Sequence, residues 1–262
     1  MVNEALKAGG SGAALGEAQI RRYARHIVLP EIGGIGQARL LGSRVLVIGA
    51  GGLGSPLLLY LAAAGVGRIG IVDDDVVDAS NLQRQVVHGL ADVGRPKVES
   101  AALRLAGLSP DAAVVRHALR LDAGNAEALV AAYDIVADGS DNLATRLAVH
   151  DACRRSGRIL VSASVQGTYG QLTTFKSHLG PPHPCLRCLY PEAPMEQALP
   201  TCSQAGVLGP VAGVLGCLQA VEPVKELTGA GDSLSGVLLF YDAMSANFDR
   251  VAISRRPGCT CG

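Results

Sequence analysis

The chain contains no tryptophan, and aromatic residues make up only 3% of its 262 residues. Platforms that stack the bases of single-stranded nucleic acid need exposed aromatic rings, so this composition argues against them. Charge of one sign is also missing, because Lys plus Arg and Asp plus Glu number 23 each and the formal net charge is zero. A neutral balance argues against a general surface for nucleic acid or for anionic membranes. We therefore expect neither nucleic acid nor a membrane among the partners.

Long uninterrupted apolar runs are scarce as well. The longest such stretch, residues 206–221, is interrupted by Gly, Pro and Gln, and it favours a buried helix over a membrane span. Residues 1–16 are rich in Gly and Ala without the apolar centre of a secretory signal, and we expect them to be disordered. Residues 17–262 are long enough for one self-supporting domain. A cytoplasmic location, where the seven cysteines stay as thiols or metal ligands, is the simplest expectation.

Residues 45–73 have the pattern of a mononucleotide-binding unit. Val45–Ile48 is an apolar run typical of a strand buried on both faces, and Ile69–Val72 is a second run that ends at Asp73. A helix is predicted over 57–64, and closely spaced glycines precede it: Gly49, Gly51, Gly52 and Gly54. Such glycines let the backbone approach a phosphate at a helix N-terminus, and an acid at the second strand end accepts from ribose hydroxyls. Alone, this fingerprint suggests NAD or FAD and is a weak signal.

A dense polar cluster after Asp73 changes this interpretation. It comprises Asp75, Asn81, Gln83, Arg84 and Gln85, and Lys97 follows twelve residues later. A dehydrogenase has little use for such a cluster, whereas Arg84 and Lys97 would put two positive charges beside a triphosphate during attack at phosphorus. Lysine is otherwise scarce in this chain, occurring only at positions 7, 176 and 225. The plain alternative is that both residues are ordinary surface charges.

The order of the predicted elements indicates the fold class. Strands are predicted over 113–117, 133–137 and 159–163 and alternate with helices over 97–105 and 141–156. Alternating runs at 170–175, 237–241 and 249–253 predict antiparallel strands, further helices are predicted over 17–29, 34–42 and 207–228, and 179–201 is a proline-rich irregular loop. We therefore expect an α/β fold, a Rossmann-like, mostly parallel sheet with an antiparallel C-terminal extension and helices on both faces.

Seven motifs, taken in this order along the chain, resemble one known family. They are RYARHIVLPEIGGIGQARL, GAGGLG, DDDVVDASNLQRQ, VGRPKVES, DGSDN, PCLRC and PTCSQAGVLGP. Their combination resembles bacterial adenylyltransferases of the MoeB/ThiF type, which are relatives of the ubiquitin-activating enzymes. The resemblance covers residues 18–262. It implies that the chain binds ATP through the glycine turn, Asp73, Asp75, Asn81, Arg84 and Lys97.

Two further residues gain a role only through this resemblance. Asp141 follows a predicted strand, where a carboxylate can either cap the next helix or hold Mg²⁺ against a triphosphate. The resemblance favours the metal ligand. Arg25 is by its position a solvated charge on the first helix, but the matching Arg in the family reaches into the ATP site of the partner subunit. That implies a homodimer with Arg25 acting across the interface.

Two cysteine pairs, far apart in sequence, indicate a structural zinc site. Cys185 and Cys188 form a CxxC in the proline-rich loop, and Cys259 and Cys261 stand at the C-terminus. The family normally ends in a second CxxC, whereas this chain has a CxC, which needs a turn before both thiols reach one metal. The alternative is a pair of free thiols at a frayed end. Cys202 matches a cysteine that links to the carrier in some relatives.

The resemblance implies an enzyme that adenylates the C-terminal Gly-Gly carboxylate of a small ubiquitin-like sulfur carrier, with ATP, Mg²⁺ and Zn²⁺ as its cofactors. A MoaD-like carrier of molybdenum cofactor biosynthesis is the first candidate, and a ThiS-like carrier of thiamine biosynthesis is the alternative. No sequence follows Gly262, so we expect no appended sulfurtransferase domain. From other classes, an NAD-dependent oxidoreductase and a catalytically silent scaffold remain as alternatives.

Overall fold

A computed structural model of the protein describes residues 15–191, 206–259 and 261. The first half contains these elements in order: α1 (Glu17–Arg22), α2 (Ala24–Ile27), α3 (Gly33–Gly42), β1 (Arg44–Ile48), α4 (Gly54–Ala64), β2 (Arg68–Val72), α5 (Lys97–Leu108), β3 (Ala113–His117), α6 (Ala126–Ala131) and β4 (Ile135–Asp138). The second half contains α7 (Leu143–Arg155), β5 (Ile159–Gln166), β6 (Tyr169–Phe175), α8 (Leu186–Leu189), α9 (Gly209–Thr228), β7 (Val237–Asp242) and β8 (Asn247–Ala252). Short 3₁₀ turns lie at Ala79–Asn81, Leu90–Asp92 and Ser177–Leu179.

All eight of these strands form one sheet in the order β3-β2-β1-β4-β5-β6-β7-β8. The first five pair in parallel, with Val45 beside Ile69 on one side and Ile135 on the other. The last three are antiparallel to their neighbours, beginning with the β5–β6 hairpin. The predicted fold class, a mostly parallel sheet with an antiparallel C-terminal extension, is confirmed.

Helices cover both faces of the parallel part because its strands alternate their side chains between two apolar clusters. On β1, Val45 and Val47 pack in one cluster with Leu57 and Leu61 of α4. Leu46 and Ile48 pack in the other, which also contains Val149 of α7. The helix that follows β1 and the helix that follows β4 therefore lie on opposite faces. No helix within the described ranges is long and apolar enough to cross a membrane.

Most differences from the predicted elements lie at their ends. The predicted helix over 17–29 is wrong in its continuity, because it breaks at Tyr23 between α1 and α2. The Tyr23 side chain is buried and its hydroxyl donates to Asp111 Oδ2 at 2.8 Å, so tertiary anchoring overrides the helical pattern. The predicted helix over 141–156 begins two residues late, at Leu143, since Asn142 is its N-cap. Gly65 ends α4 in the left-handed conformation, as is typical of a helix C-terminus.

Two regions differ in content. The six-residue helix α6 has no counterpart among the predicted elements. The predicted irregular loop over 179–201 contains the short helix α8 within its described part, which ends at Pro191. Of the predicted disordered tail, residues 1–14 lie outside the described residues, as does Cys202.

The contact between α9 and the start of α4 gives a matched pair of variants. A Cβ on Gly216 would lie 2.4 Å from Leu53 O and 2.5 Å from Pro56 Cγ, whereas a Cβ on Gly213 of the same helix meets nothing within 4 Å. We predict that Gly216→Ala lowers the free energy of unfolding by about 1–3 kcal/mol through overpacking. Gly213→Ala should raise it by about 0.5–1 kcal/mol, the usual gain for Ala in a helix. Urea denaturation of both variants measures the difference, and equal effects would contradict the close contact.

Candidate active site

A cavity of about 360 Å³ opens at the carboxyl ends of β1, β2 and β4. The order of the sheet changes direction between β1 and β4, and ligands of open α/β sheets bind in the crevice at such a point. Of the predicted nucleotide residues, those that line the cavity are Gly49, Gly51, Gly52, Asp73, Asp75, Arg84, Lys97 and Asp141. The structure therefore brings most of the predicted set to one place. Gly54, Asn81 and Arg25 are not part of the lining.

The glycine turn is shaped by close backbone contacts. Gly49 has a φ of +88°, a left-handed conformation in which a side chain would be strained. A Cβ on Gly54 would lie 1.9 Å from Gly49 O, so only glycine lets α4 start this close to the end of β1. Gly54 thus serves helix packing and does not face the cavity, while Gly51 and Gly52 form its wall.

Asp73 secures the turn from the end of β2. Its Oδ2 accepts from the Ala50 amide at 2.8 Å and its Oδ1 accepts from the Asp75 amide at 2.9 Å. Burial raises the pKa of Asp73, while the nearby charge of Lys97 and these two amide hydrogen bonds oppose the rise. Each carboxylate oxygen keeps a further lone pair, which is the chemistry needed to accept from a ribose hydroxyl.

Lys97 and Asp75 form an ion pair on the cavity wall. Lys97 Nζ lies 2.8 Å from Asp75 Oδ2, and the side chains are 6% and 68% exposed. The Lys97 amide also donates to Asp75 O at 2.9 Å, so the start of α5 is tied to the strand end of β2. The Lys97 ammonium is already buried, so exchange of its exposed carboxylate partner for a ligand anion requires no further desolvation of the lysine.

Arg84 and Asn81 belong to the segment between β2 and α5. Arg84 lines the cavity, whereas Asn81 does not. Asn81 instead holds the side chain of Gln85, because Asn81 Oδ1 accepts a hydrogen bond from Gln85 Nε2 at 2.7 Å. Gln85 is itself a lining residue. Asn81 therefore acts on the cavity through Gln85 in this structure.

The DGSDN segment divides two tasks between neighbouring residues. Asn142 caps α7, because its Oδ1 accepts from the Thr145 amide at 2.9 Å. The alternative that Asp141 caps this helix is therefore wrong. The Asp141 carboxylate is exposed, lines the cavity and makes no hydrogen bond within the described residues. It remains available to a ligand.

Arg146 is a lining residue that the sequence analysis missed. Its Nε donates to Ser140 O at 3.1 Å and its Nη2 to Ala163 O at 3.2 Å, so the guanidinium is fixed between the segment after β4 and the backbone of β5. Its position in the sequence could have indicated it. Arg146 lies in the first turn of α7, where a cation is unfavourable next to the positive end of the helix dipole. Such a placement suggests that the residue is there to bind an anion.

Arg25 lies on α2, is exposed, and stays outside the cavity of its own chain. The preceding residues anchor this region firmly. Gln19 Nε2 donates to Asp111 Oδ1 at 3.0 Å, next to the Tyr23–Asp111 hydrogen bond. Arg25 is thus presented on an ordered helix with no partner among the described residues of this chain.

The cysteines meet in a separate cluster away from the cavity. Cys185 Sγ lies 3.6 Å from both Cys188 Sγ and Cys259 Sγ, and these three sulfur atoms are all within 4.8 Å of one another. Cys261 is buried with its thiol beside Cys185. Burial raises the pKa of Cys185, and hydrogen bonds among the thiols add to the rise. Three sulfur donors therefore converge at one place, and the thiol of Cys261 lies beside one of them, outside the group of three.

A turn directly precedes the CxC pair. Gly258 has a φ of +72°, and Arg255 donates to the carbonyls of Cys259 and Cys261. Arg187 of α8 forms an ion pair with Asp151 of α7. Burial alone would raise the pKa of Asp151, but a hydrogen bond from His150 and the contact with Arg187 lower it well below its usual range. These contacts tie the loop, the C-terminal segment and α7 together.

Comparison with known families shows to which family the chain belongs. The model of the ThiF family matches residues 23–261, nearly the whole described chain. The chain belongs to the ThiF family. The predicted resemblance is thereby confirmed.

Curated relatives cover this ThiF-family chain almost completely. It is 50% identical over 250 residues to the SAMP-activating enzyme E1 of Haloferax volcanii, covering 95% of this chain and 91% of that protein. It is 52% identical to the adenylyltransferase and sulfurtransferase MOCS3 of Bos taurus, covering 95% of this chain and 55% of that protein. The chain thus spans about half the length of MOCS3. The predicted enzyme class, an adenylyltransferase, is confirmed at the level of the family.

Solved structures agree on the fold. A structure of E. coli MccB with ATP matches 96% of this chain and 76% of MccB with a TM-score of 0.77 at 20% identity. A structure of MccB with AMPCPP and MccA matches 98% of this chain and 75% of MccB with a TM-score of 0.81 at 19% identity. At this identity, the comparison supports the ThiF-family fold alone.

The division of tasks between Asp141 and Asn142 can be tested by stability alone. We predict that Asn142→Ala lowers the free energy of unfolding by about 1 kcal/mol, because the Thr145 amide loses its cap. Asp141→Ala is the matched control and should change stability by less than about 0.5 kcal/mol, as for an exposed residue without partners. Thermal and urea denaturation of both variants give the comparison. A larger loss for Asp141→Ala than for Asn142→Ala would mean that Asp141 caps the helix.

Proposed function

We propose that this chain adenylates the C-terminal Gly-Gly carboxylate of a small ubiquitin-like sulfur carrier at the cavity of the parallel sheet. The observation that carries the proposal is the lining itself. A glycine turn, two cations in Lys97 and Arg84, and the unpaired carboxylate of Asp141 all converge on one crevice. That set matches a nucleoside triphosphate with a divalent cation, and relatives over the same residues are named adenylyltransferases.

The reaction needs no side-chain nucleophile. A carrier carboxylate oxygen attacks the α-phosphorus of ATP, the new O–P bond gives an acyl adenylate, and the bond to the β-phosphate oxygen breaks. Pyrophosphate leaves with that electron pair, so no proton moves in this step. Catalysis then consists of positioning and of stabilising charge on phosphate oxygens.

Each lining residue has a place in this scheme. The glycine turn and Asp73 hold the nucleotide, with Asp75 and Asn81 supporting Lys97 and Gln85. Lys97 and Arg84 hold the phosphates, and the buried position of Lys97 strengthens its attraction for an anion. Asp141 would hold Mg²⁺, which neutralises charge on the triphosphate when bound. Its free, exposed carboxylate on the cavity wall fits that cation.

A second subunit completes the site in this proposal. Arg25 is ordered, exposed and remote from its own cavity, which fits a cation that acts on the phosphates of the partner subunit in a homodimer.

The reaction belongs to the reducing cytoplasm, where the free cysteines persist. The role of Cys202 as a carrier-linked thiol stays a prediction, because this residue lies outside the described ones.

The carrier class rests on the relatives. Their names speak of SAMP activation and of combined adenylyl- and sulfurtransferases, both of which suit a sulfur carrier. A MoaD-like carrier of molybdenum cofactor biosynthesis is our first candidate and a ThiS-like carrier is the second.

The cysteine cluster fits structural Zn²⁺. Thiolates at the usual Zn–S distance of about 2.3 Å in a tetrahedron lie about 3.8 Å apart. The distances of 3.6 Å from Cys185 Sγ to Cys188 Sγ and to Cys259 Sγ are close to that spacing. The donor set of Cys185, Cys188, Cys259 and Cys261 would hold the ion and join the loop to the C-terminus. None of the four lines the nucleotide cavity, so the metal would supply stability and take no part in the adenylation.

Exchange of labelled pyrophosphate into ATP tests the reaction. We predict exchange that requires a carrier ending in Gly-Gly and that stops when the last Gly is deleted, because the attacking oxygen is then misplaced. Asp141→Asn should slow exchange by about a hundredfold, the usual effect of one positioned charge contact. Running MoaD-like and ThiS-like carriers in parallel ranks the two candidates. Exchange that ignores the carrier tail would overturn the proposal.

Mixing inactive subunits tests whether Arg25 acts across a dimer. Arg25→Ala and Asp141→Ala should each be inactive alone, and a mixed population should recover about a quarter of the wild-type rate, since half of its dimers contain one intact site. Arg21→Ala, which removes an exposed Arg from α1, is the matched control and should stay active. Absence of recovery despite demonstrated subunit exchange would mean that Arg25 acts within its own chain or not at all.

Elemental analysis of protein purified without chelator tests the metal. We predict one zinc per chain, lost in Cys185→Ser together with thermal stability, because metal binding adds folding free energy. ATP affinity should remain unchanged in that variant. Cys217→Ser, on α9 and outside the cluster, should keep its zinc. A wild type without zinc would show that the CxC pair no longer binds metal.

A further inference from the structure

A buried histidine, His88, lies directly behind the glycine turn. It was not among the predicted site residues, and it is only 8% exposed. Its Nε2 lies 2.9 Å from Ala50 O, and its Nδ1 lies 2.8 Å from Ser100 Oγ. The ring therefore bridges the turn after β1 and the helix α5.

The contact with Ala50 fixes the role of one ring nitrogen. A carbonyl oxygen only accepts, so Nε2 carries the proton and donates to Ala50 O, while Nδ1 lies within hydrogen-bond distance of the Ser100 hydroxyl, which also contacts Asp92. Burial lowers the pKa of His88, and the charge of Lys97 contributes to the lowering. His88 thus acts on the glycine turn as a buried hydrogen-bond donor through Nε2.

Holding the Ala50 carbonyl also sets the direction of the next amide. In a trans peptide the C=O of Ala50 and the N–H of Gly51 point in opposite directions, so the Gly51 N–H points away from His88. The Ala50 N–H is held independently by Asp73. Within the described residues the Gly51 N–H has no acceptor, and Gly51 lines the cavity. A fixed and unpartnered amide at such a position is a donor for an anion.

The other end of the bridge reaches the cation of the same cavity. Ser100 lies three residues after Lys97 on α5, which is one turn along the same face of the helix. The His88 ring therefore spans from the backbone that presents the Gly51 amide to the helix that carries the Lys97 ammonium. Its length sets how far apart these two anion-binding groups lie.

We propose that His88 is a positioning residue for the phosphate site, which aims the Gly51 amide and fixes its spacing from Lys97. The inference rests on the proposed function only in taking the bound anion to be a phosphate of ATP. His88 lies behind the turn and acts through the groups it holds.

Two substitutions separate this role from simple packing. In His88→Gln the side-chain amide nitrogen falls near the position of Nε2 and keeps a donor for Ala50 O. In His88→Asn the amide falls near Nδ1 and leaves that buried carbonyl without a donor. His117→Gln is the matched control, because His117 is a half-buried histidine hydrogen-bonded to Tyr133 and lies outside the cavity lining.

Calorimetric titration with ATP, AMP and adenosine gives the readout. We expect His88→Asn to bind ATP and AMP about tenfold or more weakly, the cost of an unsatisfied buried acceptor. Adenosine should bind as to the wild type, because it lacks the phosphates. His88→Gln should restore most of the affinity, and His117→Gln should not change it.

Three results would overturn the proposal. Wild-type ATP affinity in His88→Asn would show that the turn needs no such support. An equal loss of affinity for adenosine and for ATP would show that His88 contributes only general packing. The same conclusion would follow if His88→Gln bound ATP no more tightly than His88→Asn. Should His88→Asn not fold, Ser100→Ala takes its place, with a smaller loss expected for ATP alone, and an unchanged ATP affinity would then overturn the link to α5.

Inorganic pyrophosphate as a probe keeps this test separate from the proposed function. If the wild type binds pyrophosphate but not ATP, adenylation is contradicted. The role of His88 can then still be tested by the affinity of its variants for pyrophosphate. A wild type that binds neither would overturn both. Normal ATP binding by wild type and His88→Asn alike would overturn the role of His88 and leave the proposed function standing.

Discussion

The contact between the end of β1 and the start of α4 constrains everything around the cavity. Gly54 approaches Gly49 so closely that a Cβ would overlap the carbonyl oxygen at 1.9 Å. This approach directs the N-terminus of α4 at the crevice and exposes the backbone of Gly51 and Gly52 there. A larger residue at Gly54 would push the start of α4 away from the end of β1 and displace the backbone of Gly51 and Gly52. The polar lining residues can meet one ligand together with these amides only while that backbone keeps its position.

The charges of the site come from the ends of β2 and β4, which the parallel sheet brings to one edge, and from the start of α5. Asp73 at the end of β2 secures the glycine turn, Lys97 is brought in through its ion pair with Asp75, and the segment after β4 supplies Asp141. α4 and α7 pack on opposite faces, which opens the crevice between β1 and β4. The cysteine cluster lies apart from this edge and closes the C-terminal segment onto α8. The fold thus keeps the cavity and the cysteine cluster separate.

The sequence predicted the parts that local patterns encode and missed those that depend on distant contacts. Buried apolar runs and closely spaced glycines placed β1, α4 and β2 to within about one turn of helix, since strand burial and turn chemistry are local properties. The break at Tyr23 depends on Asp111, which is 88 residues away, and no local pattern shows it. Asp141 and Asn142 are equally good caps by composition, and only the direction of the chain after β4 chooses between them. No local pattern indicates His88 either, because its role depends on its contacts with Ala50 and Ser100 in the folded chain.

Binding of ATP in competition with NAD tests the central claim most directly, because both nucleotides suit a glycine turn and only one suits the cations and carboxylate around it. Titration calorimetry of the wild-type protein should show that ATP binds more tightly than NAD and that Mg²⁺ strengthens ATP binding. The Mg²⁺ effect should disappear in Asp141→Asn. Tighter binding of NAD, or ATP binding that does not respond to Mg²⁺ in the wild type, would contradict the account of this cavity as a triphosphate site.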